Sequence, residues 1–253
     1  MSEPDDCALG GRVISALLEA GCVAAGVCGV EPLVEARAVI ERRRSAGLHD
    51  GMQFVYRNPQ RSTDPRRAFP SARSAIVAAM PYSSGDSGAP EAASARVARY
   101  ASQSHYAQLR GLLGKAAALL TDEGHRAVVL VDDNALVDRA MAVRAGLGWL
   151  GKNTNLLVPG TGSWVLIGSI LTDAHLPEAP WENRGGGCGG CERCLHDCPT
   201  GALVAPGVMD ASKCLSWLLQ TTGEFPRRHR RALGERIYGC LLYTSDAADD
   251  SAL

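Results

Sequence analysis

Apolar residues recur at helical spacing through residues 10–20 (GGRVISALLEA), and the pattern stops at Gly21, which predicts a helix closed by glycine. An unbroken apolar run from Cys22 to Cys28 follows at strand length, so both of its cysteines are read as core residues. The alternation then repeats. Residues 33–46 are helical in period and Ser74 to Met80 is a second buried strand; residues 103–123 form a helix that ends at Gly124, and the run from His125 to Val131 is a third strand. Leu136 to Ala145 is helical in period again, and Trp164 to Leu171 is the longest apolar run. That run is of strand length, far short of the roughly 20 residues a membrane helix needs, so no membrane span is expected. Strands alternating with helices predict an α/β (α+β) domain.

Ser83 to Pro90 is a loop by its Gly, Ser and Pro content, and residues 175–187 (HLPEAPWENRGGG) read as a linker. The expected domain boundary falls there, giving a first unit over residues 1–177 and a small second unit over 178–240. Short helices are predicted in the second unit at about 210–221 and 226–239. No internal repeat is visible.

A chain of 253 residues, 46% hydrophobic and 21% charged, can bury one substantial core and carry a small appended module. A net charge of −1 argues against a protein that coats nucleic acid by charge alone. The charge is uneven, however, with nine arginines against three acids from Arg37 to Arg73 and a second basic cluster at Arg227, Arg228, Arg230 and Arg231. Such clusters are either solvated helix faces or phosphate contacts. The acidic N-terminus lacks a secretory apolar segment, so a cytoplasmic chain with reduced thiols is expected.

The cysteines carry the most specific chemistry. Cys188, Cys191, Cys194 and Cys198, followed by Pro199, have the C-x2-C-x2-C-x3-C-P spacing of bacterial ferredoxins, in which the fourth cysteine serves a second iron–sulfur cluster. Zinc is the alternative, but zinc knuckles usually set two cysteine pairs far apart rather than packing four thiolates into eleven residues. With Cys214 and Cys240, the stretch from Cys188 onward supplies six thiolates, whereas two four-iron clusters need about eight.

Two further features compete as ligand sites. Gly146, Gly148 and Gly151 satisfy G-x-G-x-x-G, with Asp173 at the distance of a ribose-binding acid, yet they follow a helical segment and lead into a loop, the wrong context for a nicotinamide site. Asp132 stands at the carboxyl end of a strand, where α/β sheets gather ligands, and a carboxylic acid held protonated there can donate a proton to a substrate oxygen. Equally, Asp132, Asp133 or Asn134 can simply cap the next helix.

Several spaced motifs together resemble epoxyqueuosine reductase: Val131-Asp132, Arg139-Ala, the segment Arg144 to Asn153 (RAGLGWLGKN), Gly162-Ser-Trp164, the cysteine motif with Pro199-Thr-Gly-Ala-Leu203, Asp210-Ala-x-x-Cys214 and Arg236-Ile-Tyr-Gly-Cys240. Arg57-Asn-Pro, Asp64-Pro and Arg99-Tyr-Ala fit as well, and the resemblance runs over about residues 10 to 240. It implies a cobalamin-binding catalytic domain followed by a ferredoxin-like domain with [4Fe-4S] clusters. The implied reaction reduces the epoxide of epoxyqueuosine to queuosine at the wobble position of a tRNA, with the anticodon stem-loop as partner and a ferredoxin or flavodoxin as electron donor. By motif match, Asp132 becomes the proton donor, and Arg57, Tyr100, Asp132, Gly148, Lys152, Asn153 and Ser163 become cobalamin contacts. Cys188, Cys191 and Cys194 are assigned to one cluster, and Cys198, Cys214 and Cys240 to the other. The anticodon substrate would also give some of the arginines phosphate contacts.

The resemblance implies two further cysteine ligands after Cys240, where residues 241–253 carry none. Those residues are expected to be a non-native tail on a truncated chain whose clusters assemble poorly. The other functional readings are a dehalogenase-like corrinoid iron–sulfur reductase, which would not bind RNA, and a ferredoxin-type electron carrier, which would not bind cobalamin.

Overall fold

The computed structural model describes residues 3–82, 95–179 and 186–240, with side chains from Ala8 onward. The expected tail at 241–253, the loop at Ser83 to Pro90 and the middle of the expected linker lie outside the described residues.

The first unit contains α1 (Glu3–Glu19), β1 (Ala24–Cys28), α2 (Val34–Ser45), the short α3 (Pro59–Ser62) and α4 (Pro65–Ala68), β2 (Ser74–Pro81) and β3 (Arg96–Val97). It continues with α5 (His105–Asp122), β4 (Ala127–Val131), α6 (Asp138–Arg144), β5 (Trp149–Leu150), β6 (Leu156–Leu157) and β7 (Val165–Thr172). The second unit adds α7 (Arg193–Asp197), β8 (Leu203–Ala205), β9 (Val208–Met209), α8 (Leu215–Leu218), α9 (Arg230–Leu233) and β10 (Arg236–Tyr238).

Four strands form the central sheet in the order β1-β2-β7-β4, and every neighbouring pair is antiparallel. The helix-and-strand alternation therefore yields a mixed α and β fold whose central sheet is antiparallel throughout. The sequence signal misleads because both faces are covered. Alternate residues of β2 split cleanly: Ile76, Ala78 and Met80 join α1 and α5 in one apolar cluster, while Ala75, Val77 and Ala79 join α6 and the β5–β6 hairpin in the other. Strands buried on both faces read as continuous apolar runs, the pattern usually associated with parallel sheets. The rule that ligands gather at the carboxyl ends of parallel strands accordingly does not locate Asp132 here.

The expected linker is partly structured. Ala179 pairs with Val27 at the edge of β1, and Leu176 is buried with its N–H donating to Ser74 Oγ at 2.9 Å. The sheet unit thus extends at least to Ala179. In the second unit, the helix predicted over 226–239 is replaced by a 3-10 turn, the single turn of α9, and β10. Gly234, at φ 57°, ends α9 in the left-handed region, and β10 pairs in parallel with β3. That partner lies about 140 residues earlier in the chain, so no local pattern announces it.

Candidate functional site

The cysteines of the second unit fall into two electrostatic sets. Cys194, in the first turn of α7, has its thiol pushed up by burial and next by the nearby Cys188 and Cys191. Burial also raises Cys214, and Cys240 and Cys198 add to the shift against the opposing N–H groups of Trp217 and Ser216. Three sulfurs held together in a poorly solvated place disfavour the thiolate form until a cationic partner shares the charge. Two of the sulfurs already accept backbone hydrogen bonds, from the Lys152 N–H to Cys188 at 3.3 Å and from the Ala202 N–H to Cys198 at 3.2 Å, contacts of the kind that tune cluster potentials. Among the described residues no three metal-ligating side chains converge on a single-ion site. A cubane does not need one, because each thiolate binds a different iron.

The other two described cysteines have a different environment. Cys22 and Cys28 are buried in the sheet unit, and burial pushes their thiols up to about 11 and about 12. Both are core residues, as the apolar run predicts.

Lys152 joins the cysteine loop to the sheet unit. Besides its N–H to Cys188, its ammonium donates to the Gly189 carbonyl at 3.0 Å and lies 3.8 Å from Glu192, while its carbonyl accepts from Gly207 N–H at 2.9 Å. The Arg43 guanidinium donates to the Gly207 carbonyl, so the β8–β9 turn is gripped from two sides. Close by in sequence, Leu48 accepts from Ala211 N–H, Asp50 accepts from the Trp217 indole at 3.1 Å, and Phe54 meets the Trp217 ring edge-on. Part of the arginine-rich segment is therefore structural: Arg37 donates to Thr63 Oγ1 and Arg43 locks the second unit. Arg42, Arg44, Arg57, Arg66 and Arg73 are exposed, as are Arg227, Arg228, Arg230 and Arg231.

Asp132 lies at one end of the sheet. Pro81 pairs with Val165 and Val131 with Gly168, so the ends of β2 and β4 and the start of β7 share that edge. Asp132 and Tyr82 directly follow β4 and β2, Ser163 lies two residues before β7, and Tyr100 packs its ring 6.4 Å from that of Tyr82. Trp164 meets the Tyr82 ring edge-on and lies under the Arg99 guanidinium at 5.1 Å. Asp132 is exposed, at φ 52°, a left-handed conformation that Asp tolerates better than most residues. It does not cap α6: Asp133 Oδ1 accepts from Ala135 N–H to close the preceding turn, and Val137 holds the N-cap position without a side-chain bond.

The glycine motif serves packing in this fold. Gly146, at φ 75°, ends α6 in a Schellman arrangement, with Gly146 N–H bonded to Val143 O and Leu147 N–H to Ala142 O. At Gly148 a Cβ would lie 1.9 Å from the Leu157 carbonyl oxygen, so only glycine lets β5 meet β6. The motif closes a helix and enters a hairpin, the reverse of a dinucleotide fingerprint. Asp173 is equally committed, since an ion pair with Arg126 at 2.9 Å lowers its carboxyl below the usual range.

Of the residues singled out from sequence, Asp132, Ser163 and Tyr100 gather at the sheet end. Gly148, Lys152 and Asn153 share the β5–β6 hairpin, which Arg139 ties to α6 through the Thr154 carbonyl at 2.6 Å. Asn153 is buried, and its Oδ1 accepts from Asn155 N–H. Arg57 is exposed in the segment between α2 and α3. Sequence reasoning missed Asp138 and Trp149. One carboxylate oxygen of Asp138 and the indole N–H of Trp149 are buried without a hydrogen-bond partner among the described residues. Nothing in an amphipathic helix pattern marks one oxygen of its first acid as buried.

Comparison with known proteins now bears on this arrangement. A sequence model described as "4Fe-4S double cluster binding domain" matches residues 187–242, and one described as "Epoxyqueuosine reductase QueG, DUF1730" matches residues 62–133. The epoxyqueuosine reductase of Bacillus cereus is 34% identical over 225 residues, covering 85% of this chain and 57% of that protein. That of Xanthomonas campestris pv. campestris is 33% identical over 252 residues, covering 95% and 69%. A crystal structure of epoxyqueuosine reductase with an epoxyqueuosine-modified tRNA-Tyr stem loop superimposes with a TM-score of 0.81 at 28% identity, covering 93% of this chain and 64% of that one. The Bacillus subtilis enzyme, captured with its catalytic aspartate loop swung out of the active site, matches with a TM-score of 0.81 at 26% identity, covering 97% and 68%. The chain thus spans little more than half to about two thirds of the proteins it matches. Shared identity along nearly the whole chain, the double-cluster cysteine region and a common fold place it in one family: this chain belongs to the epoxyqueuosine reductases.

Proposed function

We propose that this chain carries out, or forms the catalytic part of a protein that carries out, reduction of epoxyqueuosine to queuosine in a tRNA anticodon stem-loop. The observation that carries the reading is the identity of 33% over 252 residues with a reductase of that name, spanning both the sheet unit and the cysteine unit. Removal of an epoxide oxygen as water consumes two electrons and two protons, so the site needs an electron relay, a reactive cofactor and an acid.

The two cysteine sets fit the relay. Cys188, Cys191 and Cys194 would hold one [4Fe-4S] cluster and Cys198, Cys214 and Cys240 the other, with the Lys152 and Ala202 N–H groups donating to cluster thiolates. The sheet unit, expected over residues 1–177 and extended to Ala179 by its bridge to Val27, would be the cobalamin-binding domain, and the residues from there to 240, expected as 178–240, the ferredoxin-like domain. The residues present fit a corrin in kind: an indole N–H on Trp149 without a partner among the described residues, a buried Asn153 on the same hairpin, and Ser163 with Tyr100 at the sheet end. Bound there with Gly148, Lys152 and Arg57 as further contacts, cobalamin would supply the metal-centred reduction that side chains cannot perform.

Asp132 is the acid in this reading. Its exposed carboxyl at the end of β4 can meet a substrate oxygen, and it sits on a short loop before α6; in the Bacillus subtilis enzyme a catalytic aspartate loop is swung out of the active site. The exposed arginines at 227–231 and on α2 suit backbone phosphates, which position an RNA without reading its sequence. A small electron carrier such as ferredoxin or flavodoxin would load the clusters in the cytoplasm. No described helix is long and apolar enough to cross a membrane.

The test is anaerobic reconstitution with iron, sulfide and cobalamin, followed by incubation with an epoxyqueuosine stem-loop RNA and a low-potential reductant. Loss of one oxygen from the modified base is expected, and Asp132→Asn should cut the rate by about 100-fold or more while cobalamin absorbance is unchanged. Failure to bind cobalamin, or undiminished activity of Asp132→Asn, would overturn the corresponding assignment.

A further inference from the structure

We infer that Asp138 is a proton-operated latch on the Asp132 loop: as a neutral carboxylic acid it keeps the first turn of α6 packed beneath the sheet, and as a carboxylate it releases that turn and the loop before it. Asp138 would be a positioning residue, acting through Asp132 rather than on substrate. Its importance to turnover rests on the reading of Asp132 given above, whereas the latch itself does not.

The geometry carries the argument. Asp138 is the first residue of α6, five residues beyond the Asp133 turn and six beyond Asp132. One of its carboxylate oxygens is buried without a hydrogen-bond partner among the described residues. The strands packed against α6 are β2, β7, β5 and β6, and none of them carries a charged residue; the loop at residues 29–32, with Glu31, meets the helix at its far end through Arg144. The charges that do bear on Asp138 are Arg139 on its own helix, and Asp132 and Asp133 on the loop. Arg139 is exposed and donates to the Thr154 carbonyl at 2.6 Å, while the two loop acids repel a carboxylate. An orphaned oxygen among apolar strands, with two acids on the adjoining loop, favours the protonated form, against the opposing pull of Arg139. Burial is the chief cause that pushes Asp138 up to about 8, with Asp132 and Asp133 adding to it and Arg139 opposing.

The sign of the pH effect follows. In the closed loop Asp138 holds its proton to about pH 8, whereas in an opened, hydrated loop it would return to the ordinary carboxylate range near 4. Between those values the open state binds fewer protons, so raising the pH favours opening, by up to about tenfold per pH unit, and the effect levels off above 8. The residue as a whole keeps some exposed surface, so tenfold is the upper bound. An acid loop poised to leave the site near neutral pH would allow an RNA substrate to enter and the loop to re-close once Asp138 regains its proton.

Amide hydrogen exchange on the chain as it stands, without cofactor or RNA, tests this. Protection factors for residues 132–138, corrected for intrinsic exchange, should fall severalfold to tenfold per pH unit from pH 5 to 8 in the wild type. Asp138→Asn, a neutral isostere of the protonated acid, should be flat over that range, and Asp132→Asn should keep the slope. A flat wild-type profile, or an equal slope in Asp138→Asn, would overturn the latch. The wild-type titration decides the matter by itself if Asp138→Asn does not fold. Because the readout needs no turnover, a failed latch with epoxyqueuosine conversion intact, and an intact latch without conversion, are distinguishable results.

Discussion

Replacing Gly148 by alanine perturbs the joint between the sheet unit and the cysteine loop with a single methyl group. The added Cβ would lie 1.9 Å from the Leu157 carbonyl oxygen, 2.9 Å from its carbon and 3.2 Å from Val158 Cα. Close carbon–oxygen contacts in proteins run at roughly 3.3 to 3.6 Å, so the hairpin would have to open by more than 1 Å. The obstructing atoms are backbone and cannot rotate away. Leu157 is paired with Trp149 in a ladder only two residues long, and Val158 is held by Gly162. Overpacking of about 1–3 kcal/mol, plus loss of one or two ladder hydrogen bonds at about 1 kcal/mol each, amounts to roughly 2–5 kcal/mol. For a chain of this size that is a fall in Tm of about 5–15 °C. The same hairpin presents the Lys152 N–H to Cys188, so iron bound by the Cys188, Cys191 and Cys194 set should fall as well. Gly187→Ala is the matched control, since nothing lies within 4 Å of its Cβ position. Calorimetry and iron analysis of both variants check this; a Gly148→Ala protein melting within about 2 °C of the wild type would refute the steric argument.

Other outcomes follow from the same geometry. Cys194→Ser and Cys214→Ser should each remove roughly half the bound iron, and the remaining spectroscopic signals should differ, since each variant empties a different set; identical residual signals would contradict the two-set assignment. Lys152→Met should shift the potential of the Cys188 cluster downward, because a cation next to the Gly189 carbonyl favours the more negative reduced cluster, and an unmoved potential in a redox titration would show that the ammonium acts only as a tether. Cys22 and Cys28, with thiols raised by burial to about 11 and about 12, carry almost no thiolate at pH 8. Alkylation of the folded apo chain at that pH should therefore label cysteines of the second unit and spare these two until the chain is unfolded.

Sequence periodicity marked the helices and the buried strands of the first unit because each is long enough to show its own repeat: α5 is bounded by Gly124, and β2 is apolar from Ala75 onward. The cysteine motif was equally legible, since cluster ligation requires thiolates at short fixed separations along the chain. Strand direction was not legible. Strands covered on both faces lose the alternation that would have signalled antiparallel pairing, and β7 enters between β2 and β4 only through long-range register. The pairing of β10 with β3 left no trace for the same reason.

The candidate site divides along the same line. Local sequence determined which residues can do chemistry here: the thiols of Cys188 to Cys198, the carboxyl of Asp132 and the glycines at 146–151. Tertiary structure decided their company. It brought Cys214 and Cys240 to Cys198, turned Lys152 toward Cys188, used Gly148 to close a hairpin, and buried one oxygen of Asp138 among uncharged strands. Donor type and short-range spacing are written residue by residue, whereas burial and electrostatic neighbourhood arise only when distant segments pack and exclude water, and those are the quantities that set how tightly a proton is held.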